Sequence, residues 1–237
     1  MNNFWEDQLS PGYYDNIVTT GIKNKRGIQA CWHILTYKKV AKYINDSFNH
    51  LDYACGPGTL IGQFTNANSI GVDLSSNQIN YAIEKYGTKG NFITIDNYDL
   101  SKQINKFEIV TILGLFEYLD DNDILILLDK IYDSLKEGGK LIVTTPNYGG
   151  SMYFIDKALN LFGPVNYNLQ NINKFSSRRL VNLIDKSKFS SFKISKFNNI
   201  FLFLSFLNLE LGQIYEKYFA RLTKNKFGLL LFLDLTK

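Results

Sequence analysis

The segment Leu51-Asp-Tyr-Ala-Cys-Gly-Pro-Gly58 constrains the fold of this chain more than any other feature. It places an acid at the end of an apolar strand, then a tight turn with two glycines, then a helix that begins near Thr59. Gly56 and Gly58 lack a Cβ, so the backbone can adopt positive φ angles there and approach a bound molecule closely. The pattern predicts a loop that binds a cofactor.

A second acid follows one strand later, because Ile70-Gly-Val-Asp73 reads as a short strand that ends in Asp73. In dinucleotide-binding folds, an acid at the tip of the second parallel strand accepts hydrogen bonds from the hydroxyls of a ribose. The stretch from Gly56 to Gly62 does not match Gly-x-Gly-x-x-Gly, however, because Ile61 stands at the third glycine position. The loop therefore departs from the dinucleotide-binding pattern.

The ordered motifs resemble the class I S-adenosylmethionine-dependent methyltransferases, whose first motif reads acid-x-Gly-x-Gly-x-Gly and whose second strand ends in an acid. Ala54 stands where that family has its first glycine. Three later segments continue the resemblance: a third strand at Ile93–Asn97, a fourth within Glu108–Leu119, and a fifth within Lys136–Pro146 that is entered through a Gly-Gly turn. The resemblance covers residues 50–146. It implies S-adenosylmethionine (SAM) as cofactor and S-adenosylhomocysteine as product.

Strands and helical segments alternate along the chain, which predicts a parallel sheet with helices on both faces. Strands are expected at 51–54, 69–73, 91–95, 107–113, 139–145, 188–197 and 227–235. Helices are expected at 36–44, 59–65, 76–86, 121–136, 151–162 and about 176–187. The predicted fold is α/β: a Rossmann-like, seven-stranded, mostly parallel sheet with an antiparallel last strand and helical lid insertions.

The length indicates a single methyltransferase domain over residues 1–237. Residues 1–48 are expected to form an amino-terminal cap with helices, and residues 49–146 the SAM-binding core. By the resemblance, residues 147–175 and 200–224 are insertions that form a lid over the methyl acceptor.

The resemblance also implies which residues bind SAM at the carboxyl ends of the strands. Asp73 is expected to bind the ribose hydroxyls, Asp96 with Asn97 the adenine, and Leu74 packs on the adenine ring. Tyr14 belongs to an aromatic segment that folds over the cofactor. The other expected contacts, to the amino acid, ribose and methionine parts, are Asp52, Ala54, Cys55, Gly56, Gly58, Leu113 and Gly114. For the acids the alternative role is the capping of a turn.

The methyl group of SAM is already electrophilic, so the protein mainly aligns donor and acceptor and excludes water. His33 is the leading candidate for a general base, because an ordinary histidine pKa of ~6.5 suits proton transfer at neutral pH. The alternative is a hydrogen-bonded structural histidine. Tyr118, which stands where many relatives have a histidine after Glu117, is the second catalytic candidate, and His50 is given no role. The residues expected to line the acceptor pocket are Tyr13, His33, Phe116, Glu117, Tyr118 and Tyr148.

Composition bears on several classes of function. Cys31 and Cys55 are too few for a metal site or a disulfide framework, so no metal is expected and a reducing cytoplasm is the natural setting. The apolar run Ile200–Leu209 is shorter than the ~18 residues of a spanning helix. The segment Leu113-Gly-Leu-Phe-Glu117 lacks the Asn/Asp-Pro-Pro-aromatic signature of base-modifying relatives, so no nucleic acid is expected as a substrate.

The charge of the chain is unevenly distributed. Residues 1–139 carry 12 basic and 17 acidic side chains, whereas residues 140–237 carry 14 and 5. The basic carboxy-terminal part can attract an anionic substrate or an anionic bilayer surface. The alternative is a solvated face of lysine-rich helices.

The favoured function is methyl transfer to a small-molecule hydroxyl of a metabolite, glycan or quinone-type precursor, because the lid is short and no separate recognition domain is present. One alternative is a peripheral methyltransferase that acts on a lipid-linked acceptor and associates weakly with a membrane surface. Another is a catalytically silent SAM-fold protein that serves as a partner subunit. A homodimer is also left open.

Overall fold

The computed structural model describes residues 4–153, 155–157, 171–223 and 225–237. Its seven-stranded sheet has the order β3-β2-β1-β4-β5-β7-β6. β7 runs antiparallel to β5 and β6, and the remaining neighbours pair in parallel. This confirms the predicted Rossmann-like α/β fold with one reversed strand. The strands are β1 Asn49–Tyr53, β2 Asn68–Asp73, β3 Gly90–Thr94, β4 Phe107–Leu113, β5 Leu135–Pro146, β6 Ser191–Phe197 and β7 Leu230–Thr236.

Helices pack on both faces of the sheet because alternate strand residues point to opposite sides. On β4, Val110 faces a cluster that includes Leu128 and Leu180, whereas Ile109 faces Val40 on the other side. The helices are α1 Phe4–Asp7, α2 Tyr13–Asn24, α3 Ile28–Val40, α4 Thr59–Phe64, α5 Ser76–Tyr86, α6 Asp121–Ser134, α7 Ser177–Ile184 and α8 Leu209–Thr223.

Side-chain caps begin three of these helices. Ser75, Asp120 and Ser176 each accept a hydrogen bond from the backbone N–H three residues later. Such caps satisfy N–H groups that have no partner inside the helix. The helix expected from about residue 176 therefore begins directly after a Ser176 cap.

Element boundaries differ from the predictions at several places. α3 begins at Ile28, well before the predicted start at 36, and a 3₁₀ turn at Ala41–Tyr43 follows it. β5 begins at Leu135 because this residue already pairs with Phe107 before the glycine turn. Of the helix predicted at 151–162, residues 152, 153 and 155–157 are helical, and residues 158–162 lie outside the described residues, as does much of the expected lid at 147–175.

The predicted insertion at 200–224 forms a 3₁₀ helix, Ile200–Phe206, followed by α8. It packs against the amino-terminal helices, where Leu202 and Leu209 join an apolar cluster with Val18 and Ile34. Two backbone hydrogen bonds hold it there, from Gly27 N–H to the Ser205 carbonyl (2.8 Å) and from Leu209 N–H to the Lys25 carbonyl (2.7 Å). Among the described residues, no helix combines the length and apolar character needed to cross a membrane.

Candidate active site

A cavity of about 930 Å³ opens at the carboxyl ends of β1, β2, β4 and β5. Ligands of open α/β sheets bind at this edge, where the strand order reverses. The first loop contributes Asp52, Ala54, Cys55 and Gly56 to the lining, and the other expected SAM contacts found there are Tyr14, Asp73, Leu74, Leu113 and Gly114. Of the expected acceptor residues, the cavity brings together Tyr13, His33, Glu117, Tyr118 and Tyr148.

The two glycines of the first loop serve different purposes. Gly56 has a φ of 53°, and a Cβ added to it would meet nothing within 4 Å, so it leaves open space at the cavity wall. Gly58 has a φ of 73°, but a Cβ there would lie 2.6 Å from the Phe92 ring. Gly58 is outside the cavity lining, and its missing Cβ allows α4 to begin against Phe92 and Ala82.

Ala54 adopts a left-handed conformation with a φ of 64°. A residue with a Cβ costs about 1–2 kcal/mol in this region, whereas glycine adopts it freely. We therefore expect Ala54→Gly to raise the free energy of unfolding by about 0.5–1 kcal/mol, after the greater freedom of glycine in the unfolded chain is subtracted. Chemical denaturation measures this change.

The matched control for Ala54→Gly is Ala41→Gly, because Ala41 has an ordinary right-handed φ of −56°. Glycine there lowers stability by about 0.5–1 kcal/mol, since it only adds freedom to the unfolded chain. Equal destabilisation by both changes would show that the left-handed conformation of Ala54 carries no strain.

Asp73 caps the turn after β2, which is one of the two roles considered for the strand-end acids. It accepts hydrogen bonds from Gly56 N–H (2.7 Å) and Ser75 N–H (2.9 Å), which ties the first loop to the end of β2. Burial raises its pKa, and the two backbone N–H groups partly offset this rise. A carboxylate has about four lone pairs, so Asp73 retains acceptor capacity towards the cavity.

Asp52 ends a buried chain of polar side chains. The Thr111 hydroxyl donates to Asp52 (2.6 Å) and lies 2.9 Å from His50 Nε2, and His50 Nδ1 lies 3.0 Å from the Ser69 hydroxyl. Because Thr111 gives its proton to Asp52, it accepts from an Nε2–H of His50. His50, given no role in the sequence analysis, therefore orients the hydroxyl that holds Asp52. Burial lowers the pKa of His50 to about 3 and keeps it neutral.

Besides Gly58, three other expected site residues lie outside the cavity lining. Asp96 and Asn97 are exposed on the 3₁₀ turn Ile95–Asn97, and Asn97 donates to the Thr94 hydroxyl (2.8 Å). Phe116 is fully buried, with its ring 6.5 Å from that of Phe175, because its short turn points it into the core. After β3, the residues that line the cavity are instead Ile95, Tyr98, Asp99, Leu100 and Ser101.

His33 lies between two aromatic rings at the cavity. Its ring centroid is 5.2 Å from that of Tyr14 and 6.0 Å from that of Tyr37, to which it is nearly parallel. Burial lowers the pKa of His33 to about 4, so the imidazole is neutral near pH 7. A neutral imidazole can accept a proton, although burial makes this one a weaker base than an exposed histidine.

Glu117 also lines the cavity; it is buried and accepts a hydrogen bond from the Thr145 hydroxyl (3.0 Å). Burial raises its pKa to about 7, with hydrogen bonds offsetting part of the rise. A pKa near the working pH is the one best matched to proton transfer. Glu117 therefore has a proton-accepting capacity that the sequence did not indicate.

The group that fixes the positions of Tyr13 and Tyr14 was not predicted from the sequence. Asp15 of α2 is fully buried, and its carboxylate accepts from Tyr86 OH (2.7 Å), Tyr81 OH (2.8 Å), Gln63 Nε2 (2.8 Å) and Lys85. Because Tyr13 and Tyr14 directly precede Asp15, this network holds them at the cavity. The adjacency to those two tyrosines was the available signal.

Comparison with known proteins gives the chemistry of this cavity. Residues 51–139 match the family model of the methyltransferase domain. Over these residues the chain is similar to methyltransferase domains. No curated protein sequence matches it.

Solved structures share the fold of this methyltransferase at low sequence identity. A SAM-dependent methyltransferase from Archaeoglobus fulgidus is 17% identical, with 86% of this chain and 93% of that chain covered and a TM-score of 0.59. Magnesium protoporphyrin IX methyltransferase from Synechocystis PCC 6803, with bound S-adenosylhomocysteine, is 16% identical over 94% and 97% of the two chains, with a TM-score of 0.56.

A phosphoethanolamine N-methyltransferase from Haemonchus contortus, solved with phosphomonomethylethanolamine and S-adenosylhomocysteine, is 18% identical over 88% of this chain and 53% of that chain, with a TM-score of 0.57. The named substrates of these proteins differ from one another. The fold therefore leaves the acceptor of the present methyltransferase open.

The cavity of the methyltransferase is suited to SAM at two points. The open space above Gly56 allows a ligand to approach the backbone closely. The Tyr98 hydroxyl is buried and has no hydrogen-bond partner among the described residues. A buried polar group without a partner is costly, so a ligand atom that hydrogen-bonds to Tyr98 stabilises the bound state. SAM, which the family uses as methyl donor, supplies polar atoms of this kind.

We expect the affinity of the methyltransferase for SAM to rise as the pH rises through about 7. Burial raises the pKa values of Asp52 and Glu117, which both line the cavity, to about 7. The sulfonium cation of SAM favours their ionised forms, so binding releases protons. Calorimetric titrations in two buffers of different ionisation enthalpy measure the number released.

The same raised pKa values also determine how the stability of the protein without SAM changes with pH. A carboxyl group whose folded pKa is raised contributes stability below its unfolded pKa and loses that contribution as the pH rises through the folded value. Asp52→Asn is therefore expected to reduce both the proton release near pH 7 and the loss of stability between about pH 4 and 7. A SAM affinity that does not change with pH would contradict the coupling.

Proposed function

We propose that the protein transfers the methyl group of SAM to a hydroxyl of a small molecule. This molecule is bound between Glu117, Tyr148 and the aromatic side chains of α2 and α3, which are Tyr13, Tyr14 and His33. The observation that supports this most directly is the volume of the cavity, about 930 Å³, which leaves room for an acceptor beside the cofactor. Pockets for drug-sized ligands measure about 300–1,000 Å³.

The cofactor side of this proposal uses the first loop and the strand ends. Asp73 would hold the ribose, and Asp52, positioned by Thr111, would face the positively charged part of SAM. Tyr98 and Asp99 take the place that the sequence analysis assigned to Asp96 and Asn97. Leu74, Leu113 and Gly114 complete the wall on which the bound molecule would rest.

SAM supplies an activated methyl group, so the residues of the protein have to align the acceptor, exclude water and receive the hydroxyl proton. His33 and Glu117 are the two groups on the acceptor side that can receive that proton. His33 is neutral near pH 7, and Glu117 is partly ionised there. Tyr13, Tyr118 and Tyr148 are proposed to orient the acceptor and to shield it from solvent.

The test is transfer of a labelled methyl group from SAM to a panel of hydroxylated metabolites, glycans and quinone precursors. Glu117→Gln and His33→Ala separate the two proton acceptors, because general base catalysis contributes about 10²–10⁴-fold to the rate. Loss of kcat with unchanged KM and an altered pH profile identifies the base. SAM binding without transfer to any hydroxylated acceptor would overturn the proposal and favour the partner-subunit alternative.

Two further predictions accompany this function. Residues 1–237 are proposed to act as one domain, because α2, α3 and the insertion all pack against the sheet or the cavity. A cytoplasmic location is proposed because Cys31 and Cys55 are both free and buried.

A further inference from the structure

The outer side of the insertion exposes large apolar residues in an unbroken row. Leu202 and Leu209 are buried on the inner side, against the amino-terminal helices, and Glu216 is buried beside Asn199. The α8 face is defined by side chains that are 46% to 70% exposed: Phe206, Leu207, Leu211, Ile214, Tyr215, Tyr218 and Leu222. Single exposed apolar residues are ordinary, but a contiguous apolar patch marks a binding surface.

Helical geometry makes the α8 face continuous. With about 100° of rotation per residue, the five members from Leu211 to Leu222 fall within an arc of about 100°, and they extend about 16 Å along the axis. Phe206 and Leu207 continue the row at the amino-terminal end of the helix. The face therefore has the dimensions of one side of an amphipathic helix.

Basic side chains lie beside this face. By the same rotation, Lys217 and Arg221 lie along one edge of the arc, and both are exposed. The Lys25 carbonyl accepts from Leu209 N–H, and Lys38 donates to Gln213 of α8 (2.9 Å), so two further exposed lysines adjoin the helix. Of the two acids in α8, Glu210 is exposed, whereas Glu216 is buried and accepts from Asn199 N–H (2.6 Å). Glu210 lies on the same edge as Lys217 and Arg221, so four basic residues and one exposed acid give the surroundings of the apolar row a net positive charge.

We propose that the α8 face binds the surface of an anionic bilayer, with α8 parallel to the membrane plane. An apolar stripe flanked by Lys and Arg is the pattern of helices that insert between headgroups and acyl chains. Each basic residue near such a surface adds attraction to anionic lipids. A second copy of the chain would bring two basic borders together, and this repulsion disfavours a dimer through the same face.

Phe203 connects the α8 face to the cavity. It belongs to the 3₁₀ helix of the insertion, it is 36% exposed, and it also lines the cavity. An acceptor with an apolar chain can therefore pass from the bilayer to the cavity along apolar surface. This part of the inference rests on the proposed methyl transfer, and it places the acceptor hydroxyl on a membrane-associated molecule.

The test is flotation of the full chain with phosphatidylcholine vesicles that contain or lack phosphatidylglycerol. Ile214→Asp changes the centre of the face, and the matched control is Ile104→Asp, because these isoleucines are 61% and 58% exposed. We expect the wild type to float with the anionic vesicles, Ile214→Asp to lose at least about tenfold in partitioning, and Ile104→Asp to behave as the wild type. Lys217→Glu with Arg221→Glu should reduce binding to the anionic vesicles only, as should added salt.

Three results would overturn the docking: no flotation of the wild type, equal flotation of Ile214→Asp, or a wild-type dimer that Ile214→Asp dissociates while neither protein floats. SAM titration and methyl-transfer assays on the same preparations separate this inference from the proposed function. Intact SAM binding and transfer without flotation removes only the bilayer surface. Flotation without transfer removes only the proposed methyl transfer.

Discussion

Asp73→Asn is expected to weaken SAM binding by at least about 100-fold, because hydrogen bonds to a charged group contribute about 1.5–3 kcal/mol each and a ribose offers two hydroxyls. In the wild type the carboxylate accepts hydrogen bonds from the backbone N–H groups of Gly56 and Ser75. In the variant, an amide NH₂ faces one of these two N–H groups. The loop between β1 and α4 would lose part of its connection to β2, while the hydrogen bonds from Ala54 and Cys55 N–H to the Val72 carbonyl remain. Calorimetric titration with SAM measures the loss, and circular dichroism checks that the variant is folded.

Asp96→Asn is the control for this experiment, because Asp96 is exposed and outside the cavity lining. Surface substitutions change free energies by about 0.5 kcal/mol or less, so its SAM affinity should stay within about threefold of the wild type. A large loss in Asp96→Asn would show that the turn after β3 reaches the adenine, as the sequence motif indicated. Retained affinity in Asp73→Asn would contradict the role of the acid at the end of β2.

Asp15→Ala is expected to lower the free energy of unfolding by about 2–4 kcal/mol, because it leaves several buried donors without an acceptor. The Tyr86 hydroxyl and the Gln63 amide lose their bonds to one carboxylate oxygen, and the Tyr81 hydroxyl and Lys85 lose theirs to the other. Lys85 is partly exposed, so solvent screens its share and the hydroxyl and amide bonds account for most of the effect. Denaturant unfolding measures the change.

The second expected effect of Asp15→Ala is a higher KM for SAM, because α2 then holds Tyr13 and Tyr14 less firmly at the cavity. Asp129→Ala, an exposed acid of α6, is the control and should change stability by less than about 0.5 kcal/mol. Destabilisation of the same small size in both variants would contradict the anchoring role of Asp15.

The pH dependence of stability distinguishes the loss of the Asp15 charge from a simple packing defect. Burial opposes ionisation of Asp15, but the hydrogen bonds from Lys85, Tyr86 and Tyr81 outweigh it, so the pKa lies below its ordinary value. The stability that this shift contributes is present above the unfolded pKa of about 3.9 and is lost as the pH falls through the folded pKa. In Asp15→Asn this acid-dependent part should disappear.

Motifs within short stretches of chain predicted much of the fold. The loop from Asp52 to Gly58 and the acid at the end of β2 predicted the cofactor edge, and both Asp52 and Asp73 line the cavity. The alternation of strands and helices predicted the parallel sheet, which the strand order confirms. The start of α3 was predicted less well, because its contacts with α2 and the insertion, rather than its own pattern, determine where it begins.

The sequence by itself determined the fold class, the cofactor loop and the two strand-end acids, because glycine spacing and strand period act over a few residues. The tertiary structure alone decided that Tyr98 and Asp99, rather than Asp96 and Asn97, face the cavity. It also decided that Asp15 is anchored by residues 48 to 71 positions away. Such contacts depend on how distant segments pack, and one-dimensional patterns do not contain that information. The exposed α8 face arises in the same way, since packing against the amino-terminal helices selects which side of the insertion remains uncovered.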